Sequence, residues 1–279
     1  MLLIPSLNET RWLHKVSFDM DPLDGCRAKI ERANEHIKNL SLEYSAHANS
    51  GQYRIVQEYD TANGILVLKF ADVKTLPTRL SVIIGDALHQ LRSALDHSIH
   101  QLILKNGGIV TKKTQFPVFQ SHEGYVARGH PMISGLSVPA AALIESFQPY
   151  QLGTSAGEHP LWVLAELNNA DKHRLLLVTA ITMEGPLEFE FKSALTIDTT
   201  TRRPGEFDLC VRHGGQIENG ATFASFRTTA QEVQMESQIS SAVAFQEDGF
   251  SRGKPVIPLL TETSAVVAGV IDRLGSEFK

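Results

Sequence analysis

The longest helical pattern in the chain runs from Leu80 to Leu104 and separates an apolar side from a polar side. At about 100° per residue, its leucines and isoleucines recur every three or four positions on one side. The other side carries Asp86, His89, Arg92, Ser93, Asp96, His97 and His100. This stretch contains neither Glu nor Lys, the residues that solvated helix faces usually carry. The pattern predicts a polar face that packs against another helix, a second subunit or a ligand.

Two clear patterns precede this central helix. Asp21-Pro22 opens an amphipathic helix that Gly51 ends. Residues 53–60 and 65–72 have the composition of strands and flank Asn63-Gly64, which is a strong signal for a two-residue hairpin turn. We therefore expect a helix followed by a β-hairpin.

The middle of the chain has weaker patterns. Residues 109–137 are predicted to form a loop with one short extended piece, Gln115–Phe119. Residues 139–147 form a short helix in this prediction, and Pro160 opens another helix that loses its helical character near Asp171.

The pattern changes after Arg174 to alternating or β-rich stretches separated by Gly, Pro and Asn. These stretches cover residues 175–184, 187–192, 207–213, 221–228 and 238–247. A helix over 258–274 closes the chain. The order predicts an α+β fold: a helical layer with an inserted hairpin, then a mostly antiparallel sheet and a C-terminal helix. We divide it into a helical part, 1–178, with the hairpin over 53–72, and a β part, 179–279, which together can form one compact domain.

Composition narrows the function classes. The 279 residues carry a net charge of −5, which gives no general attraction to DNA or to an acidic membrane, and we expect no readout of DNA sequence. The two cysteines, Cys26 and Cys210, share no motif and are predicted to be free thiols in a reducing compartment. Pro5 breaks the apolar run at the N-terminus, and no stretch approaches about 18 apolar residues. These features predict a cytoplasmic protein without a membrane partner.

Arg92 and His97 form an Arg-x4-His motif within the central helix. This resembles the Arg-x(4–6)-His motif of the HEPN superfamily, helical domains that are frequent in bacterial toxin and phage-defence systems. The resemblance implies a metal-independent endoribonuclease that needs no cofactor, acts on RNA and works as a homodimer. It also implies that His97 is the general acid or base and that Arg92 holds the scissile phosphate. Both roles suit the chemistry, since imidazole titrates near neutrality and guanidinium forks onto phosphate oxygens.

Two other interpretations of the same face stay open. In the first, the protein is a non-catalytic binding or assembly protein whose central helix is a dimer seam. Asp86 then pairs with His89, Asp96 pairs with His100, and Arg92 binds a carboxylate elsewhere. In the second, the face binds a metal ion, although it has no established ligand spacing. The ligands of that site would be Asp86, His89, Asp96 and His100, with Asp171 and His173 as additions.

A second polar cluster lies where the helix after Pro160 gives way to a strand. Its members are Asn169, Asp171, Lys172, His173 and Arg174. These residue types suit the C-terminal end of a helix, where basic groups meet the negative end of the helix dipole. In the functional alternative, Lys172 and Arg174 bind anions and His173 is a second acid or base. Together the two polar clusters also resemble a group of uncharacterised bacterial proteins, which implies no activity.

Overall fold

The computed structural model describes residues 21–183, 188–191, 210–211, 215–227, 235–249 and 251–278. The longer helices are α1 (Asp24–Asn49), α2 (Thr78–Lys105), α3 (Val138–Ser146), α4 (Pro160–His173) and α5 (Val256–Gly275). The strands are β1 (Arg54–Asp60), β2 (Ile65–Ala71), β3 (Val178–Thr182), β4 (Glu188–Phe191), β5 (Cys210–Val211), β6 (Thr222–Arg227), β7 (Met235–Gln238) and β8 (Ser241–Phe245). The predicted α+β class is confirmed.

The main core is a layer of helices around α2. Helices α1, α4 and α5 all contact α2, and its apolar residues, such as Ile84, Leu88 and Leu91, are fully buried among them. Tyr44 ties α1 to β8, because its hydroxyl is 2.8 Å from the Ser241 hydroxyl. Among the described residues, no helix is both long enough and apolar enough to cross a lipid bilayer.

The described strands form antiparallel sheets beside this layer. One sheet has the order β1-β2-β6-β5, and the remaining strands pair as β3-β8 and β4-β7. The second cluster of buried residues includes Leu66 and Leu68 of β2, and Phe223 and Phe226 of β6. The pairing of β2 with β6 and the contacts of α5 with α1 and α2 both cross the boundary predicted between residues 178 and 179.

The hairpin differs from the prediction at its turn. Asp60 pairs with Ile65, so four residues rather than two connect the strands. The Asp60 carboxylate accepts hydrogen bonds from the main-chain N–H groups of Ala62 and Asn63, at 3.0 and 3.2 Å. Gly64 adopts φ 65°, a left-handed conformation that glycine adopts without strain. These hydrogen bonds from the Asp60 carboxylate stabilise the four-residue turn. The prediction of a two-residue turn is therefore wrong.

The segment predicted as a loop over 109–137 contains helical turns. They are the α turns His122–Gly124 and His130–Met132, joined by the π turn Tyr125–Gly129. Glycine and proline usually indicate the end of a helix. The glycines and Pro131 of this segment are the reason why these helical turns were not predicted. The predicted extended piece Gln115–Phe119 belongs to no described strand.

The predictions for the C-terminal strands have mixed outcomes. The stretch 238–247, predicted as one strand, is interrupted at Ile239 and Ser240, between β7 and β8. Of the predicted stretches 187–192 and 207–213, the structure describes 188–191 as β4 and 210–211 as β5, and the other residues lie outside the described ones. Residues 1–20 also lie outside them. The closing helix α5 confirms the prediction over 258–274 and extends slightly beyond it at both ends.

Helix α4 contacts α2 at Gly85 through the side chain of Asp171. A methyl group built on Gly85 meets the Asp171 carboxylate oxygens at 2.4 and 2.5 Å. Gly85 is buried, and its lack of a side chain is what allows the Asp171 carboxylate to rest on α2.

We expect Gly85→Ala to destabilise the protein by about 1–2 kcal/mol, because the added methyl displaces Asp171 from α2. Gly269→Ala in α5 is the matched control, since no atom lies within 4 Å of the methyl there. Alanine at that position is expected to stabilise by about 0.5–1 kcal/mol through helix propensity. Urea unfolding measures both changes. In a protein that already carries Asp171→Ala, Gly85→Ala is expected to lower the free energy of unfolding much less than it does in the wild type. An equal loss in both proteins would contradict the contact between Gly85 and the Asp171 carboxylate.

Candidate functional site

The Arg92 guanidinium is hydrogen-bonded to groups of its own chain. Its Nη2 donates to Asp96 Oδ1 at 2.9 Å, one helical turn away, and to the Phe116 carbonyl at 2.6 Å. Asp96 Oδ1 in turn accepts from the Phe116 N–H at 2.9 Å. His100 Nε2 lies 3.3 Å from the Thr114 carbonyl. Arg92, Asp96 and His100 of the predicted polar face therefore bind the main chain of the segment 114–116 to α2.

His97 points away from this segment. It lies five positions after Arg92, so its side chain is turned by about 140° around the helix relative to Arg92. The His97 ring is exposed and lies next to His100, with 6.3 Å between the ring centroids. Partial burial, followed by the charge of Lys29 on α1 and the neighbouring His100, lowers the pKa of His97, although Asp96 opposes this change. The imidazole is therefore neutral at pH 7, and it does not share a cleft with Arg92 within one chain.

The uncovered side of α2 forms a continuous stripe, which we call the α2 stripe. Its residues are Val82, Asp86, His89, Ser93, His97, His100 and Leu104. Ser93 and His100 are half-buried, and the other five are exposed. Val82 and Leu104 are 46% and 57% exposed and lie at the two ends of the stripe. The predicted pairs Asp86–His89 and Asp96–His100 form no ion pair within 4.0 Å in the described part of the chain.

The second polar cluster lies in the last turn of α4 and just beyond it. The Arg174 N–H donates to the Ala170 carbonyl at 3.1 Å, as expected for a helix end, so α4 continues past Asp171 to His173. The Arg174 guanidinium is bound to Glu247, with 2.7 Å between Nη1 and Oε1. Arg174 is therefore engaged by a carboxylate, whereas Lys172 and His173 are exposed.

Asp171 faces α2 rather than solvent. Burial, and then the negative charge of Asp86, raises the pKa of Asp171, while His89 acts in the opposite direction. The structure thus brings Asp171 close to two residues of the α2 stripe.

In the described part of the chain, no group of three or more His, Cys, Asp or Glu side chains is arranged to hold a metal ion. Asp96, one of the proposed ligands, is paired with Arg92 instead.

An open cleft of about 240 Å³ lies between α2, α4 and the segment 115–119, and we call it the α2–α4 cleft. It brings Arg92 together with Asn169 and Lys172 of the second cluster. Its other polar residues are Gln115, Glu166 and Asn168. Asn168 begins the polar run 168–174 that contains the second cluster, whereas Glu166 was missed by the sequence analysis. The spacing of Trp162, Glu166, Asn169 and Lys172 on α4, at steps of three or four, is the signal that could have identified this side of the helix. Phe116, Val118, Phe119 and Met132 complete the apolar wall.

Comparisons with known proteins give no match to the chain among protein-family models, curated proteins or solved structures. The resemblance to the HEPN superfamily rests on the Arg92-x4-His97 motif and the helical character of the first part of the chain, and it stays a prediction. The contacts of the α2 stripe and of the α2–α4 cleft are therefore the basis for a functional proposal.

The pairing of Glu247 with Arg174 predicts a pH-dependent contribution to stability. The hydrogen bond from Arg174 is the main cause that lowers the pKa of Glu247, opposed by burial and supported by the Leu177 N–H. A lowered folded-state pKa means that the stabilisation is fully present above the ordinary pKa of glutamate and is lost as the pH falls through the lowered value. We expect Glu247→Gln to lower the midpoint of thermal unfolding by a few degrees at pH 7.

The difference in the midpoint of thermal unfolding between wild type and Glu247→Gln should become smaller at pH 4 and below. Asp248→Asn is the control, because Asp248 is 94% exposed and pairs with Arg252 four residues away. A constant difference between pH 7 and pH 3 would contradict the assignment.

Proposed function

We propose that the protein is a non-catalytic assembly protein that pairs with a second copy of itself along the α2 stripe. The observation that carries the proposal is the spacing of the stripe residues along α2. Its positions are symmetric about Ser93: Val82 and Leu104, Asp86 and His100, and His89 and His97 are equally distant from it. An antiparallel pair of α2 helices, related by a two-fold axis at Ser93, aligns each of these residues with its counterpart.

The residues aligned in this way are chemically complementary. Val82 meets Leu104 of the second copy at each end, so both exposed apolar side chains are buried. Asp86 meets His100, a carboxylate opposite an imidazole, and His89 meets His97, two planar rings that can stack. The small side chain of Ser93 lets the helices approach at the axis.

The composition of α2 supports the same partner. A face that stays in solvent gains from Lys and Glu, whose long solvated charges are costly to bury. Between Leu80 and Leu104 the helix has neither. The same property would suit any polar partner, but the symmetry about Ser93 favours a second copy of the chain over an unrelated protein.

Cysteine cross-linking tests the proposed alignment. Ser93→Cys lies at the axis and is expected to form a disulfide with itself under mild oxidation, because the two β-carbons come within the range of a disulfide. His89→Cys and His97→Cys are expected to cross-link efficiently only when the two variants are mixed. Electrophoresis without reductant measures the products, and light scattering gives the mass of the wild type, which should equal two chains.

The wild type, with Cys26 buried, and Leu42→Cys are the controls. Leu42 is 61% exposed on α1 and lies outside the stripe, so this variant should stay uncross-linked. A wild type that is monomeric at 100 µM contradicts the dimer. Efficient self-cross-linking of His89→Cys, without Ser93→Cys product, contradicts the antiparallel alignment and indicates a parallel one.

A metal-independent ribonuclease is the second candidate function. The exposed, neutral imidazole of His97 favours it, because a general base near neutral pH must be unprotonated and accessible. The engagement of Arg92 by Asp96 and Phe116 weakens it, since this guanidinium must release both groups before it holds a phosphate as a bidentate ligand.

For this candidate we expect wild type to cleave single-stranded RNA in EDTA and His97→Ala to lose at least about 100-fold in rate, the usual contribution of a general acid or base. Gel analysis of labelled RNA measures the rates. His130→Ala, which removes an exposed imidazole elsewhere, is the control. Equal rates for wild type and His97→Ala, or no cleavage of any RNA tested, exclude the ribonuclease.

A further inference from the structure

We infer that the α2–α4 cleft is a binding site for a free α-amino acid with an aromatic or long apolar side chain. The inference does not rest on pairing along the α2 stripe, because the cleft lies on another side of α2. It rests on an amide that is largely buried and has no hydrogen bond to the described residues, on two exposed charges of opposite sign without an ion pair among those residues, and on apolar lining residues.

Asn168 is the buried amide. The residue is only 5% exposed, and its side chain has no hydrogen bond to any described residue. The amide is not sealed from solvent, because the fully buried side-chain atoms without a partner in the described residues belong to His47 and Gln52. Its hydrogen bonds are therefore left to water in the cleft or to a molecule that replaces this water. Asn168 lines the cleft, where a bound molecule can reach both the donor and the acceptor of its amide.

Lys172 and Glu166 supply the charges. Neither has an ion pair or a side-chain hydrogen bond within the described part of the chain, although both line the cleft. Both are exposed, and they are six residues apart on α4, about 9 Å along the helix axis. Asn168 lies one turn before Lys172, on the same side of the helix. Arg92 also lines the cleft, but Asp96 balances its charge.

This charge pattern selects the class of ligand. A simple anion would satisfy Lys172 and leave the Glu166 carboxylate beside its own negative charge. A zwitterion satisfies both: its carboxylate binds the Lys172 ammonium and its ammonium binds the Glu166 carboxylate. The Asn168 amide, one turn before Lys172, donates a further hydrogen bond to the ligand carboxylate. An α-amino acid is the smallest common molecule with these groups.

The size and the wall of the cleft define the rest of the ligand. Its volume of about 240 Å³ lies below the roughly 300–1,000 Å³ of sites for drug-sized ligands, so a small molecule fits. Trp162 lies about 9 Å along α4 from Asn168, on the side away from Lys172. Together with Phe119 and Met132, which also line the cleft, it supplies apolar surface that suits an aromatic or long apolar side chain.

Calorimetric titration of the full chain with L-phenylalanine tests the proposal. We expect L-phenylalanine to bind, and two analogues that each lack one charge, 3-phenylpropanoate and 2-phenylethylamine, to bind at least ten-fold more weakly. Lys172→Gln and Glu166→Gln should each weaken L-phenylalanine at least ten-fold. Glu262→Gln, an exposed position on α5, is the control and should bind like the wild type.

Asn168→Leu separates a ligand-binding role from a structural one. Leucine has the same branched shape, and the amide that it replaces has no hydrogen-bond partner among the described residues. The variant is therefore expected to unfold at the same or a higher temperature than the wild type and to lose L-phenylalanine binding. Asn39→Leu, at an exposed site on α1, is the control for the change of residue type.

Three results overturn the proposal. If 3-phenylpropanoate binds as tightly as L-phenylalanine, the cleft is an anion site. If Asn168→Leu unfolds at a clearly lower temperature, the amide is structural. If L-phenylalanine, L-methionine and L-leucine all fail to bind at 10 mM, the cleft is not an amino-acid site. All three results can be read whether or not the Ser93→Cys variant cross-links, so failure here is distinguishable from failure of the proposed dimer.

Discussion

The burial of the apolar side of α2 is the constraint on which the other contacts depend. Ile84, Leu88, Leu91 and Leu95 are fully buried, and each contributes about 1.5–3 kcal/mol by leaving water. Helices α1, α4 and α5 pack against this helix, and the close approach at Gly85 fixes the position of α4. Once α2 is oriented by this burial, the direction of each of its polar residues follows from the helical period.

That orientation gives neighbouring polar residues different roles. Arg92 and Asp96 turn towards α4 and meet the main chain of Phe116, so they stabilise the segment 114–116. His97 turns to the uncovered side and keeps an exposed imidazole. The two halves of the Arg-x4-His motif therefore act on different sides of one helix. This separation supports an assembly role for the stripe more strongly than catalysis within one chain.

Much of the fold could be predicted because its signals are long and regular. The predicted central helix, Leu80–Leu104, lies within α2, and both hairpin strands were found within one residue of their observed bounds. The turn was wrong because Asp60, and not only Asn63-Gly64, determines it. The turns around Tyr125–Gly129 could not be predicted, since a π turn follows neither the period of 3.6 nor that of 2.

The candidate site was harder to predict, because periodicity gives the direction of a side chain and not its neighbour. Asp96 binds Arg92 and Phe116 rather than His100, and the choice depends on a chain segment 20 residues away. Asn168 belongs to the polar run 168–174, but that run does not indicate that Asn168 is buried and lines a cleft. Arg92 and Ser93 are adjacent, yet they differ by about 100° around the helix. A second copy can therefore cover the stripe at Ser93 while the α2–α4 cleft beside Arg92 stays open, so assembly and ligand binding can occur in the same molecule.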